Sequence, residues 1–179
     1  MSTLVTVKLL AMLAMLGAAA VTDLRERRIP NRVTVIGAGT AIVLSAAEMG
    51  GLPTTSLLGL AVALCIAFPF FALGALGAGD AKLFAAVGAF VGVGGLLSVF
   101  LYSGIAGGII GIVSAIRRGV IVPVLLEARN VVVYTVTLGR HGARRTIEDA
   151  EAETIPYGVA IAAGAVLAWI APISLAGTS

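Results

Sequence analysis

Long apolar runs separated by short polar segments dominate this sequence. The runs cover residues 4–22, 33–48, 56–76, 81–116 and 155–175. Because about 20 helical residues cross the core of a bilayer, the run at 81–116 is too long for one span. Its glycine-rich piece, 92–95, predicts a turn between helices at about 80–91 and 96–116. The pattern therefore predicts an all-α, polytopic membrane protein with six transmembrane helices in a single domain, residues 1–179.

The segment 119–153 is more polar than the rest of the chain. Its apolar part, 120–138, is interrupted by Glu127, Arg129 and Asn130. Charged groups deep inside a membrane are costly. We therefore expect this segment to lie in the cytoplasm or in the membrane interface, as an interfacial helix or as a loop.

The composition excludes an ordinary soluble domain. Apolar residues make up 59% of the chain and charged residues 12%, against roughly 45–50% and about 25% in soluble proteins. The net charge of +3 does not indicate a nucleic-acid partner, because the charges lie in short clusters between apolar runs. The single cysteine, Cys65, forms no intrachain disulfide, and the chain has no cysteine pair of the kind that binds zinc. We expect neither a metal nor a cofactor.

The basic residues give the orientation. All but one of them fall on one side of the predicted topology, and they are Arg25, Arg27, Arg28, Arg32, Lys82, Arg117, Arg118, Arg129, Arg140, Arg144 and Arg145. Only Lys8 falls on the other side. Since lysine and arginine mark the cytoplasmic face, both termini are predicted to lie outside the cytoplasm.

Two aspartates stand at the cytoplasmic ends of apolar runs. Asp23 follows the first run, and Asp80, in the sequence Gly77-Ala78-Gly79-Asp80, follows the third. Two carboxylates that approach each other share one proton. One then acts as a general base that activates water, and the other acts as a general acid. The pattern predicts a catalytic pair of aspartates, with Gly77 and Gly79 leaving room for a substrate backbone and Lys82 near the carboxylates or the substrate.

Each of these side chains also has an ordinary structural interpretation. Asp80 is suited to capping the fourth helix, Asp23 to being a solvated charge beside arginines, and Lys82 to marking the cytoplasmic face. Glu48 is expected to be solvated at the external end of the second helix. His141 is expected to be an ordinary loop residue, because no Ser, Cys or metal-ligand cluster accompanies it.

Three motifs together are more specific than the aspartates alone. The segment DLRERRIPN, 23–31, follows the first run, and GAGDAKLFAAVGAFVG, 77–92, follows the third. The last run opens with Pro156-Tyr157-Gly158. With these features the chain resembles, over nearly its whole length, the prepilin peptidase family of GxGD membrane aspartyl proteases.

The resemblance implies an aspartic endopeptidase of the bacterial inner membrane with Asp23 and Asp80 as its catalytic pair. Such enzymes remove, at the cytoplasmic face, the basic leader of type IV pilin-like precursors, whose apolar helix lies in membrane lipid. Many longer members also methylate the new N-terminus and carry an N-terminal segment with paired cysteines. This chain has neither that segment nor those cysteines, so it resembles the short branch that serves Flp pili of tight-adherence systems, and methyl transfer is not expected.

Two other function classes remain open from the sequence. A small transporter or channel would use the aspartates to line an ion path, although such proteins often contain internal repeats or midplane charges. A catalytically inactive scaffold for pilus assembly would retain the same motifs.

Overall fold

The computed structural model describes residues 3–119 and 157–173. These residues form helices and turns without a β-strand. The helices are α1 (Thr3–Glu26), α2 (Asn31–Met49), α3 (Thr54–Ala72), α4 (Ala78–Arg118) and α5 (Tyr157–Ile170). The chain forms two compact units, one made of Met1–Gly107 with Pro156–Ser179 and one made of Gly108–Ile155. In the second unit the described residues continue α4; the predictions for the rest of 119–153 lie outside the described residues.

Helix α1 runs past the predicted end of the first span. Its last turn includes Asp23, and the Arg27 N–H closes the helix by donating to the Asp23 carbonyl oxygen at 3.0 Å. Arg27 adopts a left-handed conformation with φ of 53°, which turns the chain out of the helix. Pro30, in an extended conformation, then starts α2 at Asn31. The predicted turn at Pro-Asn is confirmed, but Asp23 lies within α1 rather than after it.

Helices α1 and α2 pack as an antiparallel pair. A salt bridge of 3.3 Å joins Lys8 near the start of α1 to Glu48 near the end of α2. Midway along the pair, Gly37 lies directly against the Met15 side chain, where a Cβ would clash. Glu48 is exposed, as predicted, and it also pairs with Lys8.

Small residues bring α3 and the first part of α4 together. Gly59 faces the backbone of Gly88 so closely that neither position has room for a Cβ. The Ser56 hydroxyl donates to the Ala89 carbonyl oxygen at 2.8 Å. Close backbone contact at small residues is a common mode of helix packing in membranes.

Helix α4 doubles back at Gly92. That residue has φ of 67° and ψ of −179°, which is not helical. The Phe84 and Phe100 rings have centroids 6.3 Å apart, whereas sixteen residues of continuous helix would separate them by about 24 Å. The two parts of α4 within the first unit, 78–91 and 93–107, therefore lie side by side as a hairpin. The sequence predicted a turn over residues 92–95; in the structure only Gly92 departs from helical geometry.

The second part of α4 packs antiparallel to α5. The Tyr102 hydroxyl donates to the Ala171 carbonyl oxygen at 2.8 Å, and the Ile173 N–H donates to the Ser98 hydroxyl oxygen at 2.9 Å. At the other end of α5, the Tyr157 ring lies against Gly107. The N-terminus of α5 is thus fixed at the same end of the molecule as the end of α1, against which α5 also packs.

The surface is that of an integral membrane protein. Large apolar side chains point outward, among them Val35, Ile36 and Ile170, which are 66%, 68% and 72% exposed. Four helices, α1 to α4, are long and apolar enough to cross a membrane. The predicted six spans are not confirmed. The predicted helices 80–91 and 96–116 both belong to α4, and α5, predicted at 155–175, has 14 described helical residues, fewer than a span of about 20.

Candidate active site

Asp23 is held by the N-terminus of another helix. The side chain is 6% exposed in the last turn of α1. Its Oδ2 accepts a hydrogen bond of 2.9 Å from the backbone N–H of Gly158, in the first turn of α5. The first N–H groups of a helix have no partner within the helix and carry partial positive charge, so this position suits a carboxylate. The charge of Arg27 also acts on Asp23.

The residue at 158 has to be small. A Cβ there would lie 2.8 Å from Oδ2 of Asp23 and 2.9 Å from Cδ1 of Ile29. The donor N–H reaches the carboxylate because no side chain stands between them. Gly158 therefore helps to position the Asp23 carboxylate. The sequence alone did not indicate this role.

Asp80 lies in the first turn of α4, three residues after Gly77. Its carboxylate accepts a hydrogen bond from the Gly77 backbone N–H, which is the reciprocal half of a capping box. Again there is no room for a side chain, because a Cβ on Gly77 would lie 2.8 Å from Oδ2 of Asp80. Asp80 is thus the third residue of the helix and not its N-cap, as the structural interpretation had it, although it does bind the backbone at the helix start; it remains partly exposed.

The fold brings the two aspartates to one place. They are 57 positions apart in the sequence, yet the charge of Asp23 acts on Asp80, and the charge of Asp80 in turn acts on Tyr157. Tyr157 thus lies near Asp80, while its neighbour Gly158 donates to Asp23. The two carboxylates lie near each other at the ends of α1 and α4, close to the start of α5.

Ile29 connects the loops on either side of the pair. It is 9% exposed, and its side chain reaches Gly158. A Cβ on Gly79 would lie 3.2 Å from Cβ of Ile29 and 3.5 Å from its backbone nitrogen. The structure therefore gives Gly79 a definite neighbour within the protein, the loop between α1 and α2.

Lys82 is turned toward the α1–α2 loop. Its Nζ donates to Oδ1 of Asn31 at 3.0 Å, on an exposed part of the surface. The hydrogen bond of Lys82 is thus made to an amide side chain of α2 and not to either aspartate. Lys82 joins the start of α4 to the start of α2.

A cavity of about 210 Å³ lies between α3, α4 and the start of α5 and is lined mainly by apolar side chains. Tyr157 forms part of its wall, together with Phe70, Phe84 and Phe100. The described residues contain no group of three or more His, Cys, Asp or Glu side chains that would hold a metal ion. The chemistry available at the site is that of two carboxylates.

The sequence analysis did not assign a role to Tyr157, Gly158 or Ile29. The signal for the first two was present, since Pro156-Tyr157-Gly158 was noted as a motif at the start of the last helix. The role of this motif could not be assigned without knowing which helix end approaches Asp23. Ile29 carries no signal, because a buried isoleucine looks the same in any loop.

Comparison with known proteins identifies a family. The model of the type IV leader peptidase family matches residues 10–112, a range that includes both aspartates. The curated proteins and the solved structures give no match.

Proposed function

Because the chain belongs to the type IV leader peptidase family, we propose that it is an aspartic endopeptidase in which Asp23 and Asp80 are the catalytic pair. The observation that carries this proposal is their convergence at the ends of α1 and α4. Each aspartate already has a backbone N–H donor, from Gly158 and from Gly77. Both side chains are therefore oriented before substrate arrives.

The reaction follows from the chemistry of paired carboxylates. The ionised member takes a proton from a water molecule, whose oxygen attacks the scissile carbonyl carbon. The protonated member stabilises the developing oxyanion and then gives its proton to the leaving amine nitrogen as the C–N bond breaks. The pair ends the cycle with one proton again, so the proposal requires no cofactor.

The substrate that we propose is a pilin-like precursor, and more specifically the precursor of an Flp-type pilin. Its apolar helix would lie in the membrane beside the enzyme and its basic leader in the cytoplasm. The cut then falls at the boundary, where α1 ends and α4 begins. A helix hides its carbonyl groups in internal hydrogen bonds, so the chain has to be extended at the cut. A glycine before the scissile bond makes that extension easy.

Purified enzyme in detergent, incubated with a precursor peptide that contains a basic leader, a glycine and an apolar helix, tests the proposal. We expect one cut after the glycine, visible as two fragments in mass spectrometry. An intact precursor, with enzyme that is folded by thermal melting, would instead indicate a non-catalytic scaffold. Ion flux through vesicles that carry the protein would support a transporter.

A further inference from the structure

We propose that Ile29 is a positioning residue, whose side chain separates the starts of α4 and α5 and thereby sets the distance between the two catalytic carboxylates. This inference rests on the proposed peptidase function. It adds to that function a residue that acts only through the positions of the aspartates.

Ile29 is buried in a loop that is otherwise mostly exposed. The five residues before it, 24–28, are all exposed, and so are Asn31 and Arg32 after it. Ile29 itself is 9% exposed and belongs to the hydrophobic core of the protein. Because burial of an apolar side chain is favourable, Ile29 holds the α1–α2 loop against the helices that carry the aspartates.

The base of the Ile29 side chain faces α4. A Cβ on Gly79 would lie 3.2 Å from Cβ of Ile29, and 3.5 Å from both its backbone nitrogen and its carbonyl oxygen. Gly79 directly precedes Asp80 in the chain. The part of Ile29 nearest its backbone therefore limits how closely the start of α4 approaches the loop.

The tip of the same side chain faces α5. A Cβ on Gly158 would lie 2.9 Å from Cδ1 of Ile29 and 2.8 Å from Oδ2 of Asp23. The terminal methyl group of Ile29 and the Asp23 carboxylate thus both lie against Gly158, whose N–H donates to that carboxylate. The tip of Ile29 therefore limits how closely the start of α5 approaches the loop.

One side chain thus stands between two helix starts that each position a different aspartate. Gly158, at its tip, donates to Asp23, and Gly79, at its base, leads into Asp80. Because protein interiors are close-packed, a shorter side chain at position 29 lets the two helix starts move, and the carboxylates move with them. Paired carboxylates share a proton only at close range, and a misplacement of about 1 Å at an active site costs on the order of 100-fold in rate.

A second contact between α4 and the start of α2 is less suited to this task. Lys82 donates to Asn31 at 3.0 Å, but on an exposed part of the surface, where water competes for both groups. A lysine side chain also adapts to small shifts of a helix, whereas a β-branched isoleucine is stiff. The buried contact of Ile29 is therefore the one that sets the separation.

The experiment measures kcat and KM of Ile29→Ala on a precursor peptide with a basic leader, a glycine and an apolar helix. The matched control is Leu96→Ala, which removes the same number of carbon atoms. Leu96 is 2% exposed and lies about one turn beyond the bend at Gly92, away from Asp80. We expect both variants to melt below the wild type. Only Ile29→Ala should lose kcat, by on the order of 100-fold, with little change in KM, because the carboxylates rather than the binding surface have moved.

A second measurement decides the case in which Ile29→Ala does not fold. Ile29→Val removes Cδ1, which borders position 158, and keeps the Cβ that faces Gly79. Alone it should lower kcat by about tenfold, since the displacement is smaller. It also makes room for the methyl group of Gly158→Ala. The double variant should therefore cleave no more slowly than Gly158→Ala alone, whereas changes at independent sites would multiply their losses.

Three results would overturn the role of Ile29 and leave the peptidase intact. The first is a folded Ile29→Ala enzyme with wild-type kcat, and the second is an equal loss of kcat in Leu96→Ala. The third is a double variant in which the losses from Ile29→Val and Gly158→Ala multiply. An intact precursor after incubation with folded wild-type enzyme would instead reject the proposed function itself.

Discussion

The backbone N–H of Gly158 donates to the Asp23 carboxylate at 2.9 Å, across 135 residues of sequence. This contact joins the last described helix to the first and orients a buried carboxylate with a helix N-terminus. It also explains why a glycine stands there, since a Cβ would lie 2.8 Å from the carboxylate oxygen that it serves.

Gly158→Ala is expected to damage the site more than the fold. The added methyl group has to displace Asp23 or Ile29, and such overpacking typically costs about 1–3 kcal/mol of stability. We expect a lower melting temperature and a loss of cleavage of at least about tenfold. The control is Gly17→Ala, where a Cβ meets nothing within 4 Å and the helix should be slightly stabilised. Normal melting and normal cleavage in Gly158→Ala would show that the Asp23 contact has no role in positioning.

The hydrogen bond between Lys82 and Asn31 predicts a modest structural role for Lys82. Because the contact is exposed, we expect Lys82→Ala and Asn31→Ala each to cost less than about 1 kcal/mol in stability, with little further loss in the double variant. Melting in detergent and kcat/KM measure the two effects. A loss of activity of 100-fold or more in Lys82→Ala, with Asn31→Ala close to wild type, would instead assign Lys82 to the substrate or the carboxylates.

The orientation that the basic residues predict is open to cysteine labelling. In a Cys65→Ala background, Gly51→Cys lies in the turn between α2 and α3, and Leu73→Cys follows α3 at the end where Asp80 lies. An impermeant thiol reagent should label Gly51→Cys in intact cells, and Leu73→Cys only after the cytoplasmic side is opened. The reverse pattern would place the aspartates outside the cytoplasm, on the wrong face for a cytoplasmic leader.

The hydropathy pattern predicted where the helices lie better than it predicted the residues at which they end. Apolar runs located all five described helices, because lipid and protein interior both require apolar side chains. The end of α1 was missed, since Asp23, Arg25 and Glu26 are charged and yet remain helical. The left-handed residue Arg27 sets the end of the helix, and such a cap does not show in a hydropathy pattern.

The residues of the aspartate site were also easier to predict than the contacts that position them. Asp23 and Asp80 were identified because a carboxylate at the end of an apolar run is unusual. Their pairing was an inference from topology, and the geometry of the pair depends on contacts that link distant segments. The sequence could not show that Gly79 lies against Ile29, or that Lys82 reaches Asn31, because those contacts exist only after α1, α2 and α4 have packed.

The central claim is that Asp23 and Asp80 act as one catalytic unit, and a cleavage assay with three variants tests it most directly. Asp23→Asn retains an oxygen that accepts from Gly158, and Asp80→Asn retains one that accepts from Gly77, so both variants should melt close to the wild type. We expect each to lower kcat/KM for the precursor by on the order of 10³ or more, and the double variant to be little worse than either, because groups that act as a unit are not additive. Near-normal turnover in either folded single variant would contradict the paired-aspartate mechanism.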